Sequence, residues 1–405
     1  MKTRLLFLSA VLSAGLLSST LAAAGTGAGA ISLQFNTSAR AAGMGEGGVA
    51  TVWGGDANVW ANPAMLAFRP GVRYGTMHSQ LAIGLADDIF IDKKELTLGA
   101  YGVGLLYAKG PMDQVVLDMG TQQGTDENGN PTGSFQSWMK SQAWGVGVSA
   151  AEAMRLLRVA DIGDWFDVAG GMVWKDFQDQ LAGSDIIQGG GSSAIGEATM
   201  RDWGWVARVT PVNTLERSAG ADEAKVGLLV EAAYGRSKLN GTDEMIMHVD
   251  VDQTDPAPTT YLAGWAVHAE VQAGPAFAPA ASALIVDTLS PLLAVTYTDH
   301  AQSPGYVWDG DAYVYERDKS GVFDEDGYGY EISLLNIAHI RGGHVTAAYG
   351  DIDGDTSGWG LGLQAGRYGG FRYDKAKVPQ ARGLPDVTRD GWHLWVDALA
   401  LFGRD

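Results

Sequence analysis

Gly43, Gly45 and Gly48, inside the stretch ARAAGMGEGG (residues 39–48), satisfy the form G-x-G-x-x-G. In a dinucleotide fold such glycines let backbone amides approach a pyrophosphate. That requires a buried strand before the first glycine, a helix after the last, and an acidic residue about 20 positions on. Ser38 to Ala42 is no buried strand, and Val49-Ala50-Thr51-Val52 reads as extended, so no nucleotide loop is expected.

Other chemistry is equally thin. A serine hydrolase of the nucleophile-elbow type needs G-x-S-x-G, and the chain has none, although barrel-embedded lipases use other patterns; a hydrolase is kept as a third reading. Asp351-Ile352-Asp353-Gly354-Asp355 resembles the start of a calcium loop, but Thr356 stands where glycine belongs and Gly362 where the bidentate Glu belongs. A loop starting at Asp324 has Gly329 in place but Leu335 at its last ligand position, so both stretches read as solvated turns. The seven histidines show no H-x-x-x-H spacing. No catalytic residue, cofactor or metal is therefore expected, and a net charge of −19 excludes nucleic acid as a partner.

The elements that would position any site alternate with period two. In Tyr261 to Ala273, Ala263, Trp265, Val267, Ala269 and Val271 share one face, while Gly264, Ala266, His268, Glu270 and Gln272 share the other. One face suits lipid and the other a polar interior, which makes His268, Glu270 and Gln272 lumen-facing candidates. The pattern recurs from Tyr101 to Tyr107, Trp144 to Val148, Trp203 to Thr210, Leu293 to Thr298, Trp359 to Gly366 and Trp392 to Phe402. A soluble sandwich would place Lys, Glu and Thr on its second face, whereas here that face is often Gly. Roughly 11 to 14 candidate strands can be counted. Long polar stretches, Gly120 to Ser134, Gln178 to Ala198, Gly241 to Pro258 and Ala301 to Asp326, read as external loops, and Ala151 to Leu157 as a short helix in a periplasmic or interfacial turn.

The N-terminus carries Lys2 and Arg4, the apolar run Leu5 to Leu17, and the small residues Ala22-Ala23-Ala24, the form of a cleaved signal peptide, with Ala28-Gly29-Ala30 a later cleavage alternative. With 56 glycines and no cysteine, stability must come from backbone pairing and packing. An exported chain without an apolar helix of about 20 residues can enter a membrane only as a closed barrel.

Residues Ser38 to Phe68, SARAAGMGEGGVATVWGGDANVWANPAMLAF, carry Arg40, Gly43, Gly45, Asp56, Asn62, Pro63, Ala64 and Leu66 in an order and spacing that resembles the N-terminal region of the FadL-like outer-membrane family, including its PorV/PorQ-like branch. Gly329-Tyr330-Glu331, Arg341-Gly342-Gly343 and Phe371-Arg372-Tyr373-Asp374 look like the closing strands of that branch. The resemblance implies an all-β, transmembrane antiparallel β-barrel of about 14 strands with an N-terminal hatch inside the lumen. The chain then divides into residues 1–24 (signal peptide), 25–69 (hatch or plug) and 70–405 (barrel), with Gly43 to Gly48 a flexible lead-in to the hatch. Pro63 pushes Asn62 towards extended geometry, and the Asn62 side chain can bond nearby backbone, so Asn62-Pro63-Ala64 reads as a bound turn. The expected location is the outer membrane, with membrane lipid as surroundings. The expected role is passage of a hydrophobic or small organic ligand; the alternative is a PorV-like scaffold that receives secreted proteins.

Overall fold

Strands that alternate large apolar with small or polar side chains bury one face and offer the other to lipid only if every backbone group finds a partner strand. A computed structural model shows how the chain meets that demand. It describes residues 31–397 and 400, except 55–57, 82, 84–87, 113–114, 126–130, 160–161, 164, 183–193, 216–225, 242–244, 249–252, 256–258, 275–289, 305, 309–312, 316–324, 348–350, 367 and 381–382. The signal-peptide stretch, Asp56 and Phe402 lie outside the described residues.

In chain order the strands are β1 (Gly71–Gln80), β2 (Phe90–Ala100), β3 (Val103–Ala108), β4 (Val115–Thr125), β5 (Pro131–Ser149), β6 (Phe166–Ala182) and β7 (Ala194–Asn213). There follow β8 (Val226–Gly241), β9 (Met245–His248), β10 (Gln253–Asp255), β11 (Thr260–Ala273), β12 (Leu293–Pro304), β13 (Tyr306–Trp308) and β14 (Tyr313–Tyr315). The last are β15 (Glu325–Leu334), β16 (Ala338–Ala347), β17 (Ile352–Gln364), β18 (Gly369–Val378) and β19 (Val387–Val396). Every pairing is antiparallel, and β19 returns to β1 through Val72↔Val396 and Tyr74↔Leu394, so the sheet closes on itself. β3 and β4 act as one interrupted stave, since both pair with β2 and with β5. The small β9–β10 hairpin extends the rim beside β7, and β13–β14 pair only with each other, which leaves a closed barrel of 14 staves. Among the described residues no helix is long and apolar enough to cross a membrane.

The outer face is an apolar band: Val103, Leu105, Val148, Val267, Val295, Ile332, Leu361 and Leu394 are all exposed. Above it the aromatic rings pair from strand to strand, Trp144 stacking on Trp174 at 4.0 Å and Trp265 meeting Tyr297 at 5.2 Å. Trp359 meets Tyr373 at 5.5 Å and Tyr74 meets Trp392 at 5.2 Å. Such a girdle marks a membrane interface. The tight connections Tyr101–Gly102 and 335–337 share the end of the barrel at which β1 begins and β19 ends. Very short turns mark the periplasmic end of such barrels, so the other end, toward which the longest strands β5 to β7 extend, faces outward.

Two expectations change, and one interruption is new. Much of Gly120 to Ser134 continues β4 and β5 rather than looping, because the pairing runs on after the outward residues turn polar. The final strand ends at Val396, where the Asp397 amide turns to bond the Tyr368 carbonyl, so the alternation read as far as Phe402 overshoots. The third stave breaks at the 3-10 turn Gly110–Met112, where Pro111 has no amide to give the ladder. The short helix is present at Ala150–Leu156, between β5 and β6. Ser149 caps it, and the Ser149 hydroxyl is itself held by Asp167 at 2.8 Å.

Candidate functional site

The described part of the N-terminal segment runs through the inside of the barrel and is held there by three sets of contacts. The first begins with Ser38, whose hydroxyl accepts from the Ala41 amide (3.1 Å) and starts the one-turn helix Ala39–Ala42. That turn aims Arg40 at the wall. Arg40 Nη2 meets Glu331 Oε1 at 2.8 Å, and its Nη1 donates to the Trp53 carbonyl. Glu331, on β15, also takes Arg341 Nε at 2.6 Å and Arg372 Nη2 at 2.8 Å. Asp374 in turn takes Arg341 Nη2 at 2.6 Å and Arg372 Nε at 2.9 Å. Three guanidinium groups thus share two carboxylates, all of them buried. Charge-assisted bonds of this kind offset desolvation only while every partner is present.

The second set surrounds the glycines. Gly45 has φ +64, and its amide donates to Thr356 Oγ1 at 2.9 Å. A Cβ on Gly45 would run into the carbonyl oxygens of Tyr328 and His344, and one on Gly43 would press on the Arg341 side chain at 3.3 Å. The flexible lead-in expected here is instead a close fit of backbone against wall. Glu46 follows, buried, with Arg389 Nη1 at 2.6 Å; Arg389 also donates to the Asn36 carbonyl, and Asn36 Nδ2 to the Glu46 carbonyl. Burial pushes the Glu46 carboxyl up from 4.5 to about 7, against the pull of Arg389 and His300 and with Glu325 adding to the rise. A carboxyl whose pKa is higher docked than free contributes fully below pH 4.5 and loses that contribution as pH rises through about 7. The turn should therefore open more readily at pH 8 than at pH 5, read as trypsin cleavage after Arg40 relative to cleavage of an unstructured peptide at the same pH, and Glu46→Gln should remove the difference in that ratio.

The third set is the Asn62 turn. Asn62 is extended (φ −154, ψ 110), its Oδ1 accepts from the Ala64 amide at 3.1 Å, and Pro63 opens the 3-10 turn Pro63–Phe68. Asn62 Nδ2 donates to the carbonyls of Val49 (2.9 Å) and Trp205 (3.1 Å), tying the segment to itself and to β7. Close approach is made by the wall: a Cβ on Gly171 would strike the Pro63 carbonyl. Ala64, Met65 and Leu66 complete an apolar cluster with Val173, Val206 and Ala266 of the wall. Asn62→Ala removes a cap and the two bonds to the carbonyls of Val49 and Trp205, so a loss of about 2–4 kcal/mol in segment docking is expected. Hydrogen exchange of the Ala64 amide would measure it.

His268, Glu270 and Gln272 do face the interior, as their alternation requires, and form one chain. His268 bonds Thr296 Oγ1 at 2.8 Å and Glu270 at 3.0 Å, and Gln272 donates to Glu270 at 2.7 Å. The Trp53 ring stacks on His268 at 5.1 Å, and its indole N–H donates to Glu231. Sequence reasoning missed Glu331, Arg341, Arg372 and Asp374 as a centre, and also Lys175. Lys175 is fully buried between Asp202 (2.6 Å), Asn240 (2.9 Å) and the Trp60 ring (3.8 Å). The signal was present in its position: Lys175 keeps the inward parity of Val173 and Phe177. Among the described residues no group of side chains could hold a metal ion, and Asp353 and Asp355 instead flank His344 at 3.1 and 3.0 Å.

No protein-family model and no curated protein sequence matches the chain. Solved structures similar to it include a FadL homologue from Pseudomonas aeruginosa, at 10% identity and TM-score 0.40, covering 89% of this chain and 98% of that one. The Pseudomonas putida toluene transporter TodX is similar at 11% identity and TM-score 0.37, covering 93% of this chain and 98% of its own. An outer membrane channel from Pseudomonas putida F1 follows at 9% identity and TM-score 0.32, covering 81% and 95%. The strand pairing, not these likenesses, establishes the barrel.

Proposed function

We propose that the protein is an outer-membrane channel for hydrophobic or small organic molecules, closed by its N-terminal segment acting as a hatch. One observation carries this reading. In the outer half of the interior, Met77, Ile91, Leu117, Met139, Phe177 and Met200 of the wall form a buried apolar cluster around Leu33 and Trp60 of the segment. An apolar layer there favours passage of apolar solutes once the segment moves, and below it the hatch is held by ion pairs and hydrogen bonds that a shift of a few ångströms would break.

Proteoliposomes holding the purified protein test this. A small aromatic hydrocarbon should cross faster than a sugar of similar size, and Arg40→Met should raise the hydrocarbon flux. Equal flux of both solutes, or flux no greater than in empty vesicles for either variant, would sink the reading. The PorV-like alternative draws on the long outer extensions of β5 to β7, which offer a platform beyond the girdle. Exported protein co-purifying with a barrel that passes no hydrocarbon would favour it.

A further inference from the structure

At the outward end of the barrel the outward-facing charge is sorted by stave. Arg201 on β7 and Arg236 and Lys238 on β8 all carry the outward parity of their strands; Arg201 and Arg236 are exposed and Lys238 half-buried. The register places Lys238 opposite Trp203 and opposite Tyr261, and Arg236 opposite Trp205. Neighbours across such a lattice lie about 5 Å apart, and outward residues along a strand about 7 Å. The three cations thus share one patch with two tryptophans and a tyrosine. Among the described residues none of the three has an ion-pair partner, although the chain carries a net charge of −19. Further round at the same outward end, beginning two staves away on β12 and continuing on β15 and β17, Asp299, Asp326, Asp353 and Asp355 face outward instead.

Guanidinium and ammonium groups beside interfacial aromatic rings sit where lipid headgroups sit, and arginine's fork matches phosphate oxygens two at a time. Further from the membrane, β5 to β7 and β9 form a depression of ≈ 500 Å³ whose outward side chains are mostly polar and carry both charges, Lys140, Gln142, Asp176, Gln178, Glu197 and Thr199, with the exposed Ile246 the one apolar member among them. That lining suits hydroxyl groups rather than an acyl chain. We infer that this patch binds a phosphorylated glycolipid of the outer leaflet, its phosphate on Arg201, Arg236 and Lys238 and its sugar in the depression. Such a site fixes the barrel's height and surroundings in the membrane, and it is separate from the lumen and from any passage through it.

The test uses the full-length barrel in detergent and native mass spectrometry. A bisphosphorylated outer-leaflet glycolipid, the same lipid after phosphatase treatment, and inorganic phosphate are each titrated. The intact lipid should bind; at about fivefold for each cation removed, R201Q/R236Q/K238Q should bind it on the order of a hundredfold more weakly. D353N/D355N should bind as the unmodified protein does. Dephosphorylated lipid bound as tightly as the intact form, or a triple variant bound as tightly as the parent, would overturn the proposal, as would inorganic phosphate binding as well as the lipid. The phosphatase arm needs no variant, so it decides the matter even if the triple variant fails to fold. Hydrocarbon flux measured in parallel distinguishes failure here from failure of the channel reading.

Discussion

Glu331→Gln is expected to destabilise the protein by about 3–5 kcal/mol, the largest loss of any single side chain in the interior. The carboxylate meets three arginines, Arg40, Arg341 and Arg372, while Asp374 meets only two. With Gln in place, three buried cations would face one anion, and each would keep its desolvation cost. Arg40→Met should cost less, because Glu331 would still hold two arginines, but it removes the one ion pair in this group that links the segment to the wall. The two changes should couple: once Glu331 is neutral, deleting Arg40 removes an uncompensated cation, so the double variant should be more stable than the sum of the singles predicts. The measurement is the temperature at which each variant loses its compact, fast-migrating form on electrophoresis, set beside the exchange rate of amides in 38–45. Additive losses would show that the cluster does not act as a unit.

How far the sequence reaches into this interior depends on distance along the chain. From Leu262 to His268 burial alternates as the face assignment expects, and the bonds of Glu270 and Gln272 keep them on the side of His268, because alternation is a local property that pairing with β8 and β12 only fixes in place. The Asn62-Pro63 turn was equally legible, since its first bond closes over two residues, from Asn62 Oδ1 to the Ala64 amide. Arg40 and Glu331 are 291 positions apart, and no spacing rule connects them. Recognising Glu331 as a centre needs the register that sets it opposite Arg341 on β16, and one slip in that register would turn its side chain outward. The break in the third stave has a visible cause in Gly110 and Pro111, but how two half-strands share one place in the barrel emerges only from pairing with β2 and β5. The glycines misled for a related reason. Glycine permits both motion and close contact, and which one applies at Gly45 is decided by Gly329 and Gly343 on other strands, which bring the wall backbone within reach.

That close contact gives the sharpest separation of segment from barrel. Gly45→Val should expel residues 38–48 from the wall while the barrel itself survives. The backbone at φ +64 is unfavourable for a β-branched side chain, and its Cβ would overlap the carbonyl oxygens of Tyr328 and His344. Those carbonyls belong to β15 and β16, whose pairing is fixed along both strands, so the wall cannot yield without losing its own ladder. The segment can yield, since the turn at 45 is attached to the wall there by the bond to Thr356 Oγ1 and by the Arg40 and Glu46 ion pairs beside it. Heat-dependent migration should stay close to that of the parent protein, trypsin should cut after Arg40 at a rate at least about tenfold higher, for a strain of about 1.4 kcal/mol or more, and hydrocarbon flux should rise with it. Loss of the compact barrel in Gly45→Val would mean that the segment is part of the barrel's own stability rather than a separable closure. Unchanged cleavage would mean that the wall gives way at Tyr328 and His344 more easily than their pairing allows.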